Sequence, residues 1–192
     1  MKQKSLDPGL VYRLKVTLKG SKPPIWRRLE VPGNITLAKL HQVLQVAMRW
    51  TDSHLHQFII GQTYYGIPDP DFDYSGKTKN ERNFKLQEVA PREKMKFLYE
   101  YDFGDSWEHE ILVEKILPLT EERPYPVCLK GVKACPPEDI GGLWGYYDFL
   151  EIKEDPEHPE HEEMMEWMGD QFDPDQFNLE EVNKRLKKIK IK

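Results

Sequence analysis

The stretch MKFLYEYDFGDSWEHEILV, residues 95–113, decides how this chain is read. Met95, Phe97, Tyr99 and Tyr101 alternate with more polar neighbours, and Trp107, His109, Ile111 and Val113 do so again after a break. An apolar residue at every second position marks a strand with one buried face. Between the two runs lies Phe103-Gly104-Asp105-Ser106, a short connection rich in turn-forming residues. The segment therefore predicts a β-hairpin.

Upstream, Tyr12, Leu14, Val16 and Leu18 alternate in the same way, and Ile25 to Val31 follows the turn at Gly20–Pro24. This predicts a second hairpin, stopped by Pro32-Gly33-Asn34. Thr36 is a good helix N-cap, and Leu37, Leu40, Leu44, Ala47 and Met48 recur at helical spacing through Trp50. Gln57 to Tyr65 reads as a strand and Pro68 to Asn80 as a long polar loop. Leu117 to Gly142 reads as Pro-rich and irregular. Helices are expected over Trp144–Ile152 and Glu160–Met168, split by Pro156 and Pro159. Asn178 with Glu181 three residues on forms a capping box for a last helix carrying Leu179, Val182, Leu186 and Ile189. Strands come first and helices cluster late. The order predicts an α+β fold: a mostly antiparallel sheet packed by helices on one face. One domain over 1–192 is expected, with a helical C-terminal part from about residue 143.

Composition fits a globular chain, with 39% hydrophobic, 11% aromatic and 32% charged residues. No apolar run approaches the length of a membrane span. Met1 to Leu10 carries two Lys with no apolar stretch behind them, which is not the pattern of a signal peptide. Two cysteines, Cys128 and Cys135, make a disulfide scaffold a poor expectation, so a cytoplasmic protein with reduced thiols is expected, with no membrane partner. The net charge of −5 is uneven. Residues 151–175 hold eleven acids and one Lys, whereas 183–192 hold six Lys/Arg and no acid. The basic tail suits a helix C-terminus and a solvated face.

Three clusters carry residues that can do chemistry. At the predicted hairpin tip, Asp102, Asp105 and His109 are ionisable groups close in sequence, and Trp107 shares a strand face with His109. Carboxylates with a histidine can hold a divalent metal or exchange protons. An Asp in a hairpin turn also caps its own backbone, and that plainer role competes. His54 and His56, two apart, could both ligate an ion on an extended segment. Cys135-Pro136-Pro137-Glu138-Asp139-Ile140-Gly141-Gly142 is a stiff, shaped loop, with Glu138 or Asp139 available as a base. Trp26 beside Arg27 and Arg28 can stack on bases and meet phosphates, or simply bury a strand face with the Arg stems laid along it. A zinc site from Cys128, Cys135, His54 and His56 lacks the tight Cys-x-x-Cys spacing. Asp102-Phe103-Gly104 matches the kinase metal triplet, but no Gly-rich loop or His-Arg-Asp loop accompanies it.

Residues 12–32 with Pro24-Ile25-Trp26-Arg27, His54-Leu55-His56-Gln57-Phe58, the 101–109 tip and the Cys135–Gly142 loop together resemble the plasmid pRiA4b ORF-3-like family. The resemblance covers about residues 10 to 180. It implies an α+β roll and no settled activity or catalytic residues; some members sit on plasmids or insertion elements and carry a resolvase-like label. A serine recombinase needs a nucleophilic Ser among clustered Arg, and no such Ser neighbours Arg27-Arg28. Three readings follow. The first is a binding or interaction module, in which an aromatic and acidic groove around Asp102, Asp105, Trp107, His109, Glu138, Asp139 and Trp144 takes a peptide, protein or nucleic-acid ligand. The second is a metal-dependent hydrolase, with a divalent cation on converging Asp102, Asp105 and His109. The third is a nucleic-acid-associated accessory protein of a mobile element.

Overall fold

The computed structural model describes residues 9–68, 77–119, 124–169 and 172–191. Its eight strands are β1 (Leu10–Leu18), β2 (Trp26–Pro32), β3 (His56–Ile60), β4 (Thr63–Gly66), β5 (Lys79–Asn80), β6 (Lys96–Tyr101), β7 (Trp107–Pro118) and β8 (Val127–Val132). Its helices are α1 (Leu37–Met48), α2 (Leu86–Val89), α3 (Gly142–Glu154), α4 (His161–Met168) and α5 (Leu179–Leu186). The strands form one open sheet in the order β5-β4-β3-β6-β7-β1-β2-β8. Every pairing is antiparallel except β4 with β5, so the fold is α+β.

The alternation read in the sequence is the burial pattern seen in the fold. On β6, Phe97, Tyr99 and Tyr101 are buried; on β7, Trp107, His109, Ile111 and Val113 are. The sheet thus turns one apolar face inward and leaves Glu108, Glu110, Lys96 and Arg28 on the other. The β1–β7 pairing is the longest, running from Leu10 opposite Pro118 to Leu18 opposite His109. α1 lays Leu37, Leu40, Val43, Leu44, Ala47 and Met48 into the core, each large side chain contributing about 1.5–3 kcal/mol. Its start is set by Thr36, whose hydroxyl accepts from the Lys39 N–H at 3.3 Å. α5 packs against β8 and α1. Its N-cap, Asn178, accepts from Glu181 N at 2.9 Å.

Three expectations change. Gln57–Tyr65 is not one strand: it folds back at Gly61, where φ is +62°, into the β3–β4 hairpin. The stretch taken as irregular contains β8, which pairs with β2 across a register shift at Arg28/Leu29. Its sequence, Val127-Cys128-Leu129-Lys130-Gly131-Val132, lacks clean alternation because β8 ends the sheet order and only Cys128 is buried. Gly131 sits there because a Cβ would lie 2.5 Å from the Phe177 ring. Of the long loop, residues 69–76 lie outside the described residues, and Lys79–Asn80 pairs parallel with β4. The stretch Met1–Pro8 lies outside them too. No described helix is long and apolar enough to cross a membrane.

Leu44 is fully buried at the centre of the α1 seam. Leu44→Ala is expected to lower unfolding free energy by about 2–5 kcal/mol, read from the urea midpoint at unchanged slope.

Candidate metal centre at the hairpin tip

The segment Thr51–His56 links α1 to β3 and carries most of the polar chemistry of the fold. α1 ends with Arg49 in the left-handed region, at φ +68°. The chain then runs past two tyrosine hydroxyls of β6. Tyr101 Oη accepts from the backbone N–H of Ser53 at 2.9 Å and of His54 at 3.3 Å, and donates to Glu138 Oε1 at 2.5 Å. Burial and the hydrogen bond to Glu138 raise the Tyr101 pKa well above its ordinary value, so this hydroxyl stays protonated as a donor. Glu138 in turn accepts from Thr51 N at 3.0 Å and Thr51 Oγ1 at 2.6 Å. Loop 135–142 is thereby tied to the α1–β3 connection.

This tying brings His54 to the hairpin tip. His54 Nε2 lies 3.1 Å from Asp139 Oδ1 and 3.6 Å from Asp102 Oδ2. It is buried, and neither carboxylate oxygen is aligned to hydrogen-bond it. One ligand atom from each of the three residues falls within 4.8 Å of the others. Asp102 is itself buried, and its other oxygen caps the turn, accepting from Gly104 N at 2.9 Å. Asp139 faces solvent. Both aspartates hold left-handed backbones, with φ +58° and +61°, a conformation that short polar side chains tolerate and that concentrates at functional sites. Asp105 does not join them; its carboxylate accepts from Gly141 N at 3.3 Å. Gly142 closes the contact, since a Cβ there would meet the Asp105 carbonyl at 2.6 Å.

A second group lies deeper. His41 on α1 and His56 on β3 stack with centroids 3.4 Å apart and planes within 2°. His41 Nε2 is 2.7 Å from Asp52 and His56 Nε2 is 2.9 Å from Glu81. Gln45 Nε2 donates to Tyr99 Oη at 3.0 Å, which leaves the Tyr99 proton for His41 Nδ1 at 2.8 Å. His41 is then neutral, with its Nε2–H donating to Asp52 Oδ1. Burial and the neighbouring His56 hold its pKa below the ordinary value against the pull of Asp52. His41, Asp52 and His56 also bring ligand atoms within 4.8 Å. Parallel rings, however, set their nitrogens side by side rather than aimed at one point. This group is a satisfied hydrogen-bond network that fixes the 51–56 segment.

His109 belongs to neither group. It is fully buried, with Nδ1 on its neighbour's Trp107 carbonyl at 3.0 Å and its ring edge-on to Trp50 at 5.2 Å. The expected convergence of Asp102, Asp105 and His109 therefore does not occur. Residues at alternate strand positions share a face, and His109 follows Trp107 onto the core face. Trp107 likewise lines no surface groove, whereas Trp144 is 90% exposed and Phe103 is 47% exposed. Of the basic candidates, Arg27 is buried and Arg28 is held bidentately by Glu114 at 2.6 and 2.8 Å. Trp26 stands on the outer face with Lys15, Arg28 and Lys130 within 6 Å of its ring. Sequence reasoning missed His41, Asp52, Glu81, Tyr99, Tyr101 and Trp50. The one available signal was His41, a polar residue at helical spacing with Leu37 and Leu44.

Burial, aided by the nearby Arg27 and only partly opposed by backbone hydrogen bonds, pushes His109 down from 6.5 to about 4. The unfolded chain thus takes up this proton first as the pH falls. The associated stability is full above about pH 6.5 and is lost progressively down to about pH 4, some 3 kcal/mol in all by linkage. His109→Gln is expected to flatten the stability curve over that window in urea titrations; parallel curves would refute the assignment.

The chain matches the plasmid pRiA4b ORF-3-like protein family over residues 10–181. It is 40% identical over 183 residues to the uncharacterized protein y4hQ of Sinorhizobium fredii (strain NBRC 101917 / NGR234), covering 95% of this chain and 93% of that one. It is also similar to the crystal structure of MM3350 from Methanosarcina mazei Go1, a protein of unknown function. The TM-score is 0.81 and the identity 39%, over 91% of this chain and 98% of that one. With the match running from the first strand into the last helix, the chain belongs to the plasmid pRiA4b ORF-3-like family.

Proposed function

We propose that this protein is a binding module whose recognition surface is the β6–β7 tip, where His54, Asp102 and Asp139 hold a divalent cation that meets an oxygen-bearing group of a peptide or protein ligand. The observation that carries this is the spacing of the three ligand atoms around a buried His54 Nε2 that lacks a hydrogen bond. Ligands about 2.0–2.1 Å from an ion stand roughly 3.0–3.4 Å from one another in octahedral or tetrahedral geometry. The His54–Asp139 contact at 3.1 Å matches such an edge, and the His54–Asp102 contact at 3.6 Å lies a few tenths of an ångström beyond it. One imidazole with two carboxylates favours zinc, manganese or iron over calcium. Three protein ligands leave a position open, and the exposed side of Asp139 gives access to it. Exposed Phe103 on the hairpin tip and Trp144 in the first turn of α3 supply apolar area on the same two segments.

Binding is favoured over hydrolysis because the acids a hydrolase would use as base are already engaged. Glu138 accepts three hydrogen bonds, and Asp105 is on Gly141 N. A nucleic-acid role is disfavoured by a tip lined with carboxylates and by Arg27 and Arg28 both being held internally. Free Cys128 and Cys135, both buried, fit a cytoplasmic setting.

Protein stripped with chelator and titrated calorimetrically with Zn²⁺ or Mn²⁺ is expected to bind one equivalent at the tip. Asp139→Asn and His54→Ala should each weaken this by at least about tenfold, while His109→Gln leaves it unchanged. Equal affinity in all four proteins would sink the reading.

A further inference from the structure

A cleft of about 430 Å³ opens between the end of α1, loop 134–138 and segment 172–178. Arg27 reaches it from the core face of β2, although only 1% of the residue is exposed. A guanidinium cannot shed its charge, and a buried cation is costly without an anion. The partners of Arg27 are all neutral. Nε donates to Ala47 O at 3.0 Å, and Nη1 donates to Trp26 O and Val132 O, both at 2.9 Å. Nη2 reaches only the Cys135 Sγ at 3.5 Å. Among the described residues no carboxylate pairs with it. Cys135 cannot serve as the counter-ion either, because burial raises its pKa even though Arg27 pulls the other way, so it remains a thiol. The last carbonyls of α1 offset part of the charge. Two Nη2 hydrogens are left with one weak acceptor.

The geometry points to this cleft as a binding site for a singly charged carboxylate that carries an apolar tail, its head on Arg27 Nη2 beside Cys135. Phe177 covers the flat face of the guanidinium at 4.2 Å, so the in-plane Nη2 edge is what remains to be met. Met48, Trp50, Met168 and Phe177 provide walls for the tail. Two features select a monoanion over a phosphate dianion. Of the two arginines lining the cleft only Arg27 lacks an acid, Arg49 being 3.6 Å from Glu181, and Glu138 and Asp173 line the same cleft. The site uses none of the ligand atoms of the hairpin-tip group.

The test is calorimetric titration of the full chain, in chelator, with octanoate, octanol, octylamine and octyl phosphate. Octanoate is expected to bind one to one and at least tenfold more tightly than the other three. Saturating octanoate, and not octanol, should slow alkylation of Cys135 by iodoacetamide, read by peptide mass mapping. Arg27→Met should abolish the preference for octanoate over octanol. Because that change removes buried hydrogen bonds and endangers the fold, Cys135→Leu, which fills the cleft floor, gives a second reading and should reduce octanoate binding at least tenfold. His54→Ala should bind octanoate as the parent does, even if the tip proves to bind no metal. Equal binding of octanoate and octanol, tighter binding of octyl phosphate, or no binding at all would each overturn the assignment.

Discussion

The hydroxyls of Tyr99 and Tyr101 are the constraint on which the polar half of this structure depends. Both residues face inward from β6, two positions apart, so both reach the same side of the sheet. Tyr99 ends in the Gln45–His41 pair of α1, and Tyr101 ends on the backbone of Ser53 and His54 and on Glu138. Two rigid rings thus fix the height at which α1 hands the chain to β3, and the height at which loop 135–142 closes over the hairpin. His54 is delivered between Asp102 and Asp139 as a consequence. A buried hydroxyl left unmatched costs about 1–3 kcal/mol, so each of these contacts resists being moved.

The interior around this seam is unusually polar for the face of a sheet. Arg27, His41, Gln45, His56, Glu81, Asp102 and His109 are all buried. Most find a partner: Arg27 three carbonyls, His56 the Glu81 carboxylate, His41 a hydroxyl and Asp52. Fully satisfied networks of this kind specify one arrangement more sharply than apolar packing does. Among the described residues four buried polar atoms are incompletely met: Trp107 Nε1 and His109 Nε2 in the core, His54 Nε2 at the tip and Arg27 Nη2 under the cleft. Trp50 stacks on Tyr101 at 5.0 Å and also lines the cleft.

Much of the fold was legible because its elements follow local rules. Alternation marked β1, β6 and β7, and caps at Thr36 and Asn178 marked the starts of α1 and α5. β8 escaped because its identity comes from pairing with β2 and from Phe177 lying over Gly131, neither of which leaves an alternating pattern. The β3–β4 turn escaped because an isolated Gly61 in an apolar run is a weak signal until its positive φ is seen.

The site was half legible. His54, Asp102 and Asp139 were each singled out, but in three different groups, and Asp102 was grouped with His109 whereas the fold sets it beside His54. The sequence by itself determined the residue chemistry, the element order and the one inward face of each strand, since these rest on contacts a few residues long. Only the tertiary structure decided which charged groups meet. Asp102 and Asp139 are 37 positions apart and His54 is 48 before Asp102. Their approach depends on the Tyr101 and Glu138 hydrogen bonds and on the bare backbone of Gly142. Period-two geometry, the same rule that revealed the hairpin, sends His109 into the core and away from the acids beside it in sequence.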